Sequence, residues 1–407
     1  MPYTIKHIKH PIVKWINLPS SKSISNRILI IQSLCANKIN IRNLSKSNDT
    51  KDLKKALCFK TNIIDARDGG TTLRFLMAYL CSLEGDWKLF GSKDLMSRPI
   101  DSLVVALRKL GANIERGGGL WIIKGKKIDG GRLEIIASES SQFVSALLLV
   151  APSFKNGLQL TLKGKIVSSS YIDMTMELMR EFGVRVSMNG KTISVAPGKY
   201  QAKNISIETD WSAASYFYEL VALKPGSRIL LKGLVDHSLQ GDRVVAELYE
   251  AFGVKSLFKK NGVLIESENP SDNAIKNMKN NSLIFDIKDC PDLFPALVVT
   301  VAAKGCKALF KNTCHLNSKE SERAKVYTKL LQQLKCKVIE TANTFSINRK
   351  GIQRDFKDLK IKTFNDHRIA MSFAPLSVFF SSITFDFEKV VEKSFPGFWK
   401  EFEKKNN

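Results

Sequence analysis

Apolar and polar positions recur along this chain in one repeated unit. Ala106-Leu107-Arg108-Lys109-Leu110-Gly111-Ala112-Asn113-Ile114 has the pattern of Leu178-Met179-Arg180-Glu181-Phe182-Gly183-Val184-Arg185-Val186. Leu248-Tyr249-Glu250-Ala251-Phe252-Gly253-Val254 is a third copy. Leu330-Leu331-Gln332-Gln333-Leu334-Lys335-Cys336-Lys337-Val338 is a fourth, with Lys335 where the others carry glycine. In each, residues spaced for one helix face reach a C-cap position and then an alternating strand, as in Arg185-Val186-Ser187-Met188. The copies stand too far apart for a solenoid, so they predict duplicated α/β subdomains with helices packed on small sheets. At 407 residues the chain is too long for one ordinary core, and two domains are expected. The best break is near Thr209-Asp210-Trp211-Ser212, with Asp210 capping a helix from Ala213 to Leu223.

Several predicted helices begin with cations beside serine, glycine or proline. Leu18-Pro19-Ser20-Ser21-Lys22-Ser23-Ile24-Ser25-Asn26-Arg27 runs into Ile28-Leu29-Ile30-Ile31, a tight turn feeding a helix. Unpaired N–H groups and the positive end of the dipole favour an anion there. The stretch lacks the spacing of a P-loop. Asp68-Gly69-Gly70-Thr71-Thr72-Leu73-Arg74 is a second anion-ready start, and Arg98-Pro99-Ile100 precedes a helix from Asp101 to Leu110. Ser140-Ser141-Gln142-Phe143 and Ser168-Ser169-Ser170-Tyr171-Ile172-Asp173 cluster hydroxyls at two further starts.

Cys290-Pro291-Asp292 places one carboxylate before an apolar helix. In Asn317-Ser318-Lys319-Glu320-Ser321-Glu322-Arg323, a helical first turn would put Lys319 and Arg323 on one face, with Glu320 beside them as acid or base. Asn365-Asp366-His367-Arg368 sets His and Arg against the helix dipole, which suggests a task such as holding an anion. Lys393-Ser394-Phe395-Pro396 adds a last cation. Each motif alone is also an ordinary cap or a solvated charge. Together, many cations with few carboxylates describe a site for small phosphorylated and carboxylated molecules.

The formal net charge is +24, which raises nucleic acid, a polyanionic substrate or a general lysine bias as explanations. The lysines are spread along the chain and form no dense tract interleaved with aromatics, as single-strand binders usually have. The apolar run from Ile369 to Phe385 is broken by Pro375 and several serines and is too short to span a membrane; the N-terminus has no apolar signal core. Seven cysteines without a C-x-x-C pair suggest reduced thiols in a cytoplasm rather than a disulfide frame or zinc site.

The order and wording of nine of these segments resemble the EPSP synthases, within the enolpyruvyl transferases, over almost the whole length. The carriers are Leu18-Pro19 with Ser21 to Arg27, Gly70 to Arg74, Arg98-Pro99-Ile100, Ser140 to Phe143, Tyr171-Ile172-Asp173, Pro291-Asp292, Lys319 to Arg323, Asn365 to Arg368 and Lys393 to Pro396. The resemblance implies an α/β (α+β) fold: a two-domain inverse α/β barrel, each domain built from three duplicated subdomains of parallel helices on small sheets. It implies domains of 1–19 plus 211–407, and of 20–210, closing on a cleft.

The implied reaction moves the enolpyruvyl group of phosphoenolpyruvate to the 5-hydroxyl of shikimate 3-phosphate, by addition and elimination, without metal or organic cofactor. For shikimate 3-phosphate the implied ligands are Lys22, Ser23, Arg27, Ser140, Ser141, Gln142, Ser168, Tyr171, Asp292, His315 and Lys319. For phosphoenolpyruvate they are Lys22, Gly70, Arg98, Gln142, Arg323, Arg368 and Lys393. Asp292 is the implied base, Glu320 the proton donor, and Lys22 assists proton transfer. Arg74 is expected to brace the Gly70 loop, and His367 to help or to stand behind the site. A monomer is implied, with no nucleic-acid or membrane partner. Glyphosate competes for the phosphoenolpyruvate site in this family.

Departures are small. Ser20 stands for the usual Gly, Gly69 for Ala, and His315 for a phosphate-binding Asn. The sister transferase acting on UDP-N-acetylglucosamine has a reactive Cys where this chain has Arg98, and no cysteine lies between Cys81 and Cys290. A basic nucleic-acid-binding relative would need a nucleotide site or an aromatic-lined groove, and the sequence displays neither.

Overall fold

The computed structural model describes residues 1–267, 282–354 and 358–404. The chain divides into two compact units, Met1–Pro19 with Glu208–Asn407 and Ser20–Ile207. Residues 208–210, expected to close the second domain, belong with the first unit. Local bonding explains this: Asp210 Oδ1 accepts the Ala213 N–H at 2.8 Å, and Glu208 accepts the Leu239 N–H at 3.0 Å. The capped helix is Trp211–Leu223, starting two residues before the expected Ala213.

Among the described residues, four four-stranded sheets share one topology. In the Ser20–Ile207 unit, Ile63–Asp65 pairs parallel with Gly85–Phe90, which pairs antiparallel with Leu120–Gly125 and then Asn113–Gly117. Gly131–Ile136, Leu158–Lys163, Thr192–Val195 and Val186–Asn189 repeat that order. The other unit has two copies, one opening on Val13–Asn17 and the other on Ser282–Asp286. A smaller sheet completes each unit: Ile41–Arg42 with Ile205–Ser206, and Tyr3–Lys6 with Ser382–Phe385 and Asp358–Ile361. Strands such as Leu158–Lys163 bury alternate residues, so each sheet has one wet face and one dry face.

The helix–turn–strand copies are real, with two local differences. Gly111, Gly183 and Gly253 have φ of +100°, +81° and +80°, and Lys335 adopts +62° at the equivalent turn without glycine's freedom. The third copy's helix is a single α turn, Val245–Leu248, flanked by 3₁₀ segments Gly241–Val244 and Tyr249–Phe252.

The dry faces cover helices that are buried almost all round, polar residues such as Ser25, Asn26 and Arg27 included. In one unit these are Lys22–Leu34, Gly70–Ser82 and Ser141–Val150, packed on one another. In the other they are Trp211–Leu223, Phe294–Lys304 and His367–Phe373. The sequence motifs stand at or just before the N-terminal ends of five of these helices, Trp211–Leu223 being the exception, and other motifs precede Asp101–Lys109, Ser169–Glu181 and Arg323–Gln333. Among the described residues no disulfide joins the seven cysteines, and no helix is long and apolar enough to cross a membrane.

Candidate active site

In the unit containing Glu208–Asn407, the site is built on Asp292. Leu293, not Asp292, is the N-cap of Phe294–Lys304, so the carboxylate is not spent on capping. Its Oδ2 accepts from Arg368 Nη2 at 2.5 Å, and its Oδ1 from Arg323 Nη1 at 3.3 Å. Lys319 Nζ lies 3.9 Å from Oδ1. Burial alone would raise this carboxyl, but Arg368, Lys319 and Arg323 hold it far below the ordinary range, so it is ionised.

Arg323 is fully buried and binds three carboxylates at once. Its Nε donates to Asp366 Oδ2 at 3.1 Å and its Nη2 to Glu320 Oε2 at 2.8 Å, besides the bond to Asp292. Burial opposes the guanidinium charge, yet Asp366, Glu320 and Asp292 raise its pKa. Asp366 Oδ1 also accepts the Arg368 N–H at 3.0 Å, so one carboxylate caps His367–Phe373 and orients Arg323. Arg368 Nη1 donates to Tyr216 Oη at 3.2 Å.

Lys319 and Arg323 do not share a helix face. Lys319 has extended backbone at the end of the 3₁₀ turn Cys314–Ser318, and the helix begins only at Arg323. Asn317 sets that start: its Oδ1 accepts the N–H of Ala324 at 2.9 Å. The two cations still meet, through Asp292 rather than through a helix. Burial, then Arg323 and Arg368, lower the Lys319 ammonium, while Asp292 raises it. His315 is buried, and neither ring nitrogen has a hydrogen-bond partner among the described residues. Burial first, then Lys319, push its pKa down to about 3, so the ring is neutral. Lys393 ends the 3₁₀ segment Glu388–Lys393, which packs against the helix bearing Arg368.

The Ser20–Ile207 unit carries a second constellation. Ser21 caps Lys22–Leu34, and Lys22 Nζ meets Asp49 Oδ2 at 3.0 Å. The Asp49 carbonyl accepts from Thr72 Oγ1 at 3.3 Å, tying Lys22 to the Gly70–Ser82 helix. A Cβ at Gly70 would stand 2.8 Å from Arg74 Nη1 and 3.3 Å from Arg98 Nη1, so the missing side chain makes room for two guanidinium groups. Arg74 braces this turn as expected: it donates to the carbonyls of Gly70 at 2.9 Å and Pro99 at 3.1 Å. Gln142 Nε2 reaches Thr71 Oγ1 at 3.1 Å, while Ser140 caps Ser141–Val150.

Arg27 lies beneath this surface. It donates to the Ser23 and Tyr171 carbonyls and to the hydroxyls of Thr175 and Ser145, and burial lowers it to about 10. Ser168 precedes Ser169–Glu181 in the left-handed region at φ +55° and makes no side-chain cap, leaving its hydroxyl for another purpose.

Asp49, Tyr216, Thr175 and Ser145 were not singled out by the sequence. Each acts through a partner far away in the chain, and no local spacing signals it. Asp242 was missed as well. It is buried, with one oxygen bonded to Ser212 and the other without a partner among the described residues. Among those residues, no group of three or more His, Cys, Asp or Glu side chains is arranged to hold a metal ion.

A family model for EPSP synthase (3-phosphoshikimate 1-carboxyvinyltransferase) matches residues 53–402. A 3-phosphoshikimate 1-carboxyvinyltransferase of Bacteroides fragilis strain YCH46 is 38% identical over 395 residues, covering 96% of this chain and 94% of its own. One from Buchnera aphidicola subsp. Cinara cedri is 33% identical over 431 residues, covering 95% and 93%. Among solved structures, EPSP synthase from Acinetobacter baumannii has a TM-score of 0.76 at 21% identity, over 98% of this chain and 97% of that one. That likeness shows the fold to be the inverse α/β barrel expected from the sequence.

Proposed function

The chain belongs to the EPSP synthase family, and on that premise we propose the part each residue takes in moving the enolpyruvyl group of phosphoenolpyruvate to shikimate 3-phosphate. The observation that carries this reading is the Asp292 carboxylate held ionised between Arg368, Arg323 and Lys319. A base for a substrate hydroxyl must be ionised, and two anionic substrates must be held among cations if their repulsion is to be overcome.

On this reading Asp292 accepts the proton of the 5-hydroxyl as the oxygen attacks the enol carbon. Glu320, held by Arg323 as a carboxylate, takes up a proton from solvent as the substrates bind and delivers it to the methylene carbon, and Lys22 assists proton transfer. In the elimination a methyl proton returns to Glu320 as the C–O bond to phosphate breaks and the double bond re-forms, and phosphate leaves with the proton Asp292 took from the hydroxyl. Arg323, Arg368, Lys393 and Arg98 hold phosphoenolpyruvate, with the Gly70 turn and Gln142 beside it. Ser23, Ser140, Ser141, Ser168, Tyr171 and Lys319 hold shikimate 3-phosphate, with neutral His315 in the place of the family's Asn. Arg27 contributes the one N–H that its four protein bonds leave over. Monomeric function is supported by the two constellations coming from a single chain, and a cytoplasmic setting by seven cysteines that form no disulfide among the described residues.

Phosphate release by the purified protein tests the proposal. Release that needs both phosphoenolpyruvate and shikimate 3-phosphate, and collapses in Asp292→Ala, is expected. Release with UDP-N-acetylglucosamine instead would overturn the substrate, and full activity in the variant would overturn the base.

A further inference from the structure

The wet face of one sheet carries a second constellation that the proposed reaction does not use. Gly131–Ile136, Leu158–Lys163, Thr192–Val195 and Val186–Asn189 place Arg132, Gln159, Ser194 and Ser187 opposite one another in a single cross-strand row. Arg185 lies two residues before Ser187 and so shares its face. Arg180 reaches the same edge, its Nε donating to the Val186 carbonyl at 3.1 Å. All six line one open groove of about 910 Å³.

The chemistry of this lining is one-sided. No carboxylate and no lysine borders the groove. The chain has 47 lysines and 16 arginines, so a general lysine bias does not explain three arginines here. Three nearby carboxylates are paired with lysines outside the lining, Glu134 with Lys163, Glu181 with Lys203 and Asp129 with Lys155; Glu177 pairs with Arg180 of the lining itself, so the charge the groove offers is that of Arg132 and Arg185. Arg132 and Arg185 have no side-chain partner among the described residues. They stand on opposite edges of the sheet, three strand spacings or about 14 Å apart before their side chains lean inward. The amide and hydroxyls of Gln159, Ser194 and Ser187 fill the space between them.

We propose that this groove is a second ligand site, for an elongated small molecule with a phosphate or carboxylate at each end and hydroxyl groups between. Arg132 takes one anionic end and Arg185 the other, where planar guanidinium groups bind such oxygens in pairs. Gln159, Ser194 and Ser187 bond to the hydroxylated middle. This inference does not depend on the transferase reading.

Titration calorimetry on the intact protein tests it, with fructose 1,6-bisphosphate as the probe. One-to-one binding is expected to the wild type and to Arg368→Gln. In Arg132→Gln/Arg185→Gln it should weaken by about tenfold or more, as loss of charge-assisted bonds predicts. Glycerol 3-phosphate, with one anionic end, should bind far more weakly than the bisphosphate. Phosphate release from the transferase substrates should be unchanged in the double variant. If that variant does not fold, Ser194→Asp, which sets a carboxylate in the middle of the row, replaces it. Absence of binding, or binding that survives both variants, overturns the proposal. Binding lost in Arg368→Gln assigns the probe to the transferase site and does the same. Tighter binding of a short oligonucleotide, lost in the double variant, would make the groove a nucleic-acid surface instead. Failure of phosphate release in the wild type would sink the transferase reading and leave the groove as it stands.

Discussion

Arg323 is the residue on which the first unit's chemistry turns, because one buried fork orders Asp292, Glu320 and Asp366 together. Lysine keeps the charge but not the geometry: its three N–H bonds radiate from one compact nitrogen and do not reproduce the spread fork whose Nε, Nη1 and Nη2 each reach a different carboxylate. Arg323→Lys is therefore expected to destabilise the fold by about 3 kcal/mol, the order found when a buried pair is broken. It should also cut kcat by more than it raises KM. Thermal unfolding and steady-state kinetics check both, and a variant with unchanged melting temperature would refute the shared-fork account. Asp242 behaves oppositely to Asp292. Burial first, then the charge of Asp292, push its carboxyl up to about 7, against the hydrogen bond from Ser212. Unfolded, it titrates at about 3.9. The folded state thus holds the proton more tightly, and the stability this confers is complete below about pH 4 and lost as pH rises through about 7. Asp242→Asn cannot titrate. Its melting temperature relative to wild type should climb between pH 4 and pH 8, by the equivalent of up to about 4 kcal/mol. A difference independent of pH would mean that Asp242 is ionised throughout.

Among the elements, the turn into Gly70–Ser82 shows how a helix start becomes a site. Two arginines converge on Gly70, and a methyl group would push on both side-chain ends without touching backbone. Gly70→Ala should leave melting almost unchanged while displacing Arg98. The expected result is a KM for phosphoenolpyruvate raised by about tenfold, the cost of one weakened charge-assisted bond, with kcat little altered. An unchanged KM would show that Arg98 does not serve that ligand. This turn was legible in the sequence because glycines, hydroxyls and a cation stand together within a few residues. The repeated helix–turn–strand unit was legible for the same reason, even at Lys335, where apolar spacing survived the loss of glycine. What could not be read is pairing at a distance. Lys22 finds Asp49 across 27 residues, Arg323 finds Asp366 across 43, and Arg368 finds Tyr216 across 152. No local pattern encodes these choices, because they follow from helix ends brought together by packing. Lys319 was misplaced for a subtler reason: Asn317 caps from outside the helix and delays its start to Arg323.

At the scale of the whole molecule, helix starts that carry cations or hydroxyls recur in both units, among them those of Lys22–Leu34, Gly70–Ser82 and Ser141–Val150 in one and of Arg323–Gln333 and His367–Phe373 in the other. Over this lies a net charge of +24, spread through the sequence rather than gathered. Such a charge acts on anionic substrates before any contact forms, by raising their local concentration and encounter rate. It acts through solvent and is screened over about 10 Å at 0.1 M salt. The bonds inside the buried Asp292–Arg323–Arg368 network are shielded from that screening. The two contributions therefore separate by ionic strength. Between about 20 and 300 mM potassium chloride, kcat/KM for both substrates should fall several-fold while kcat stays nearly level. A matched series in potassium glutamate distinguishes screening from chloride occupying the anion sites, since screening alone gives the same curve in both salts. Were kcat to fall in parallel with kcat/KM, the added salt would be reaching the buried network itself, and the long-range charge would have no separate part in substrate capture.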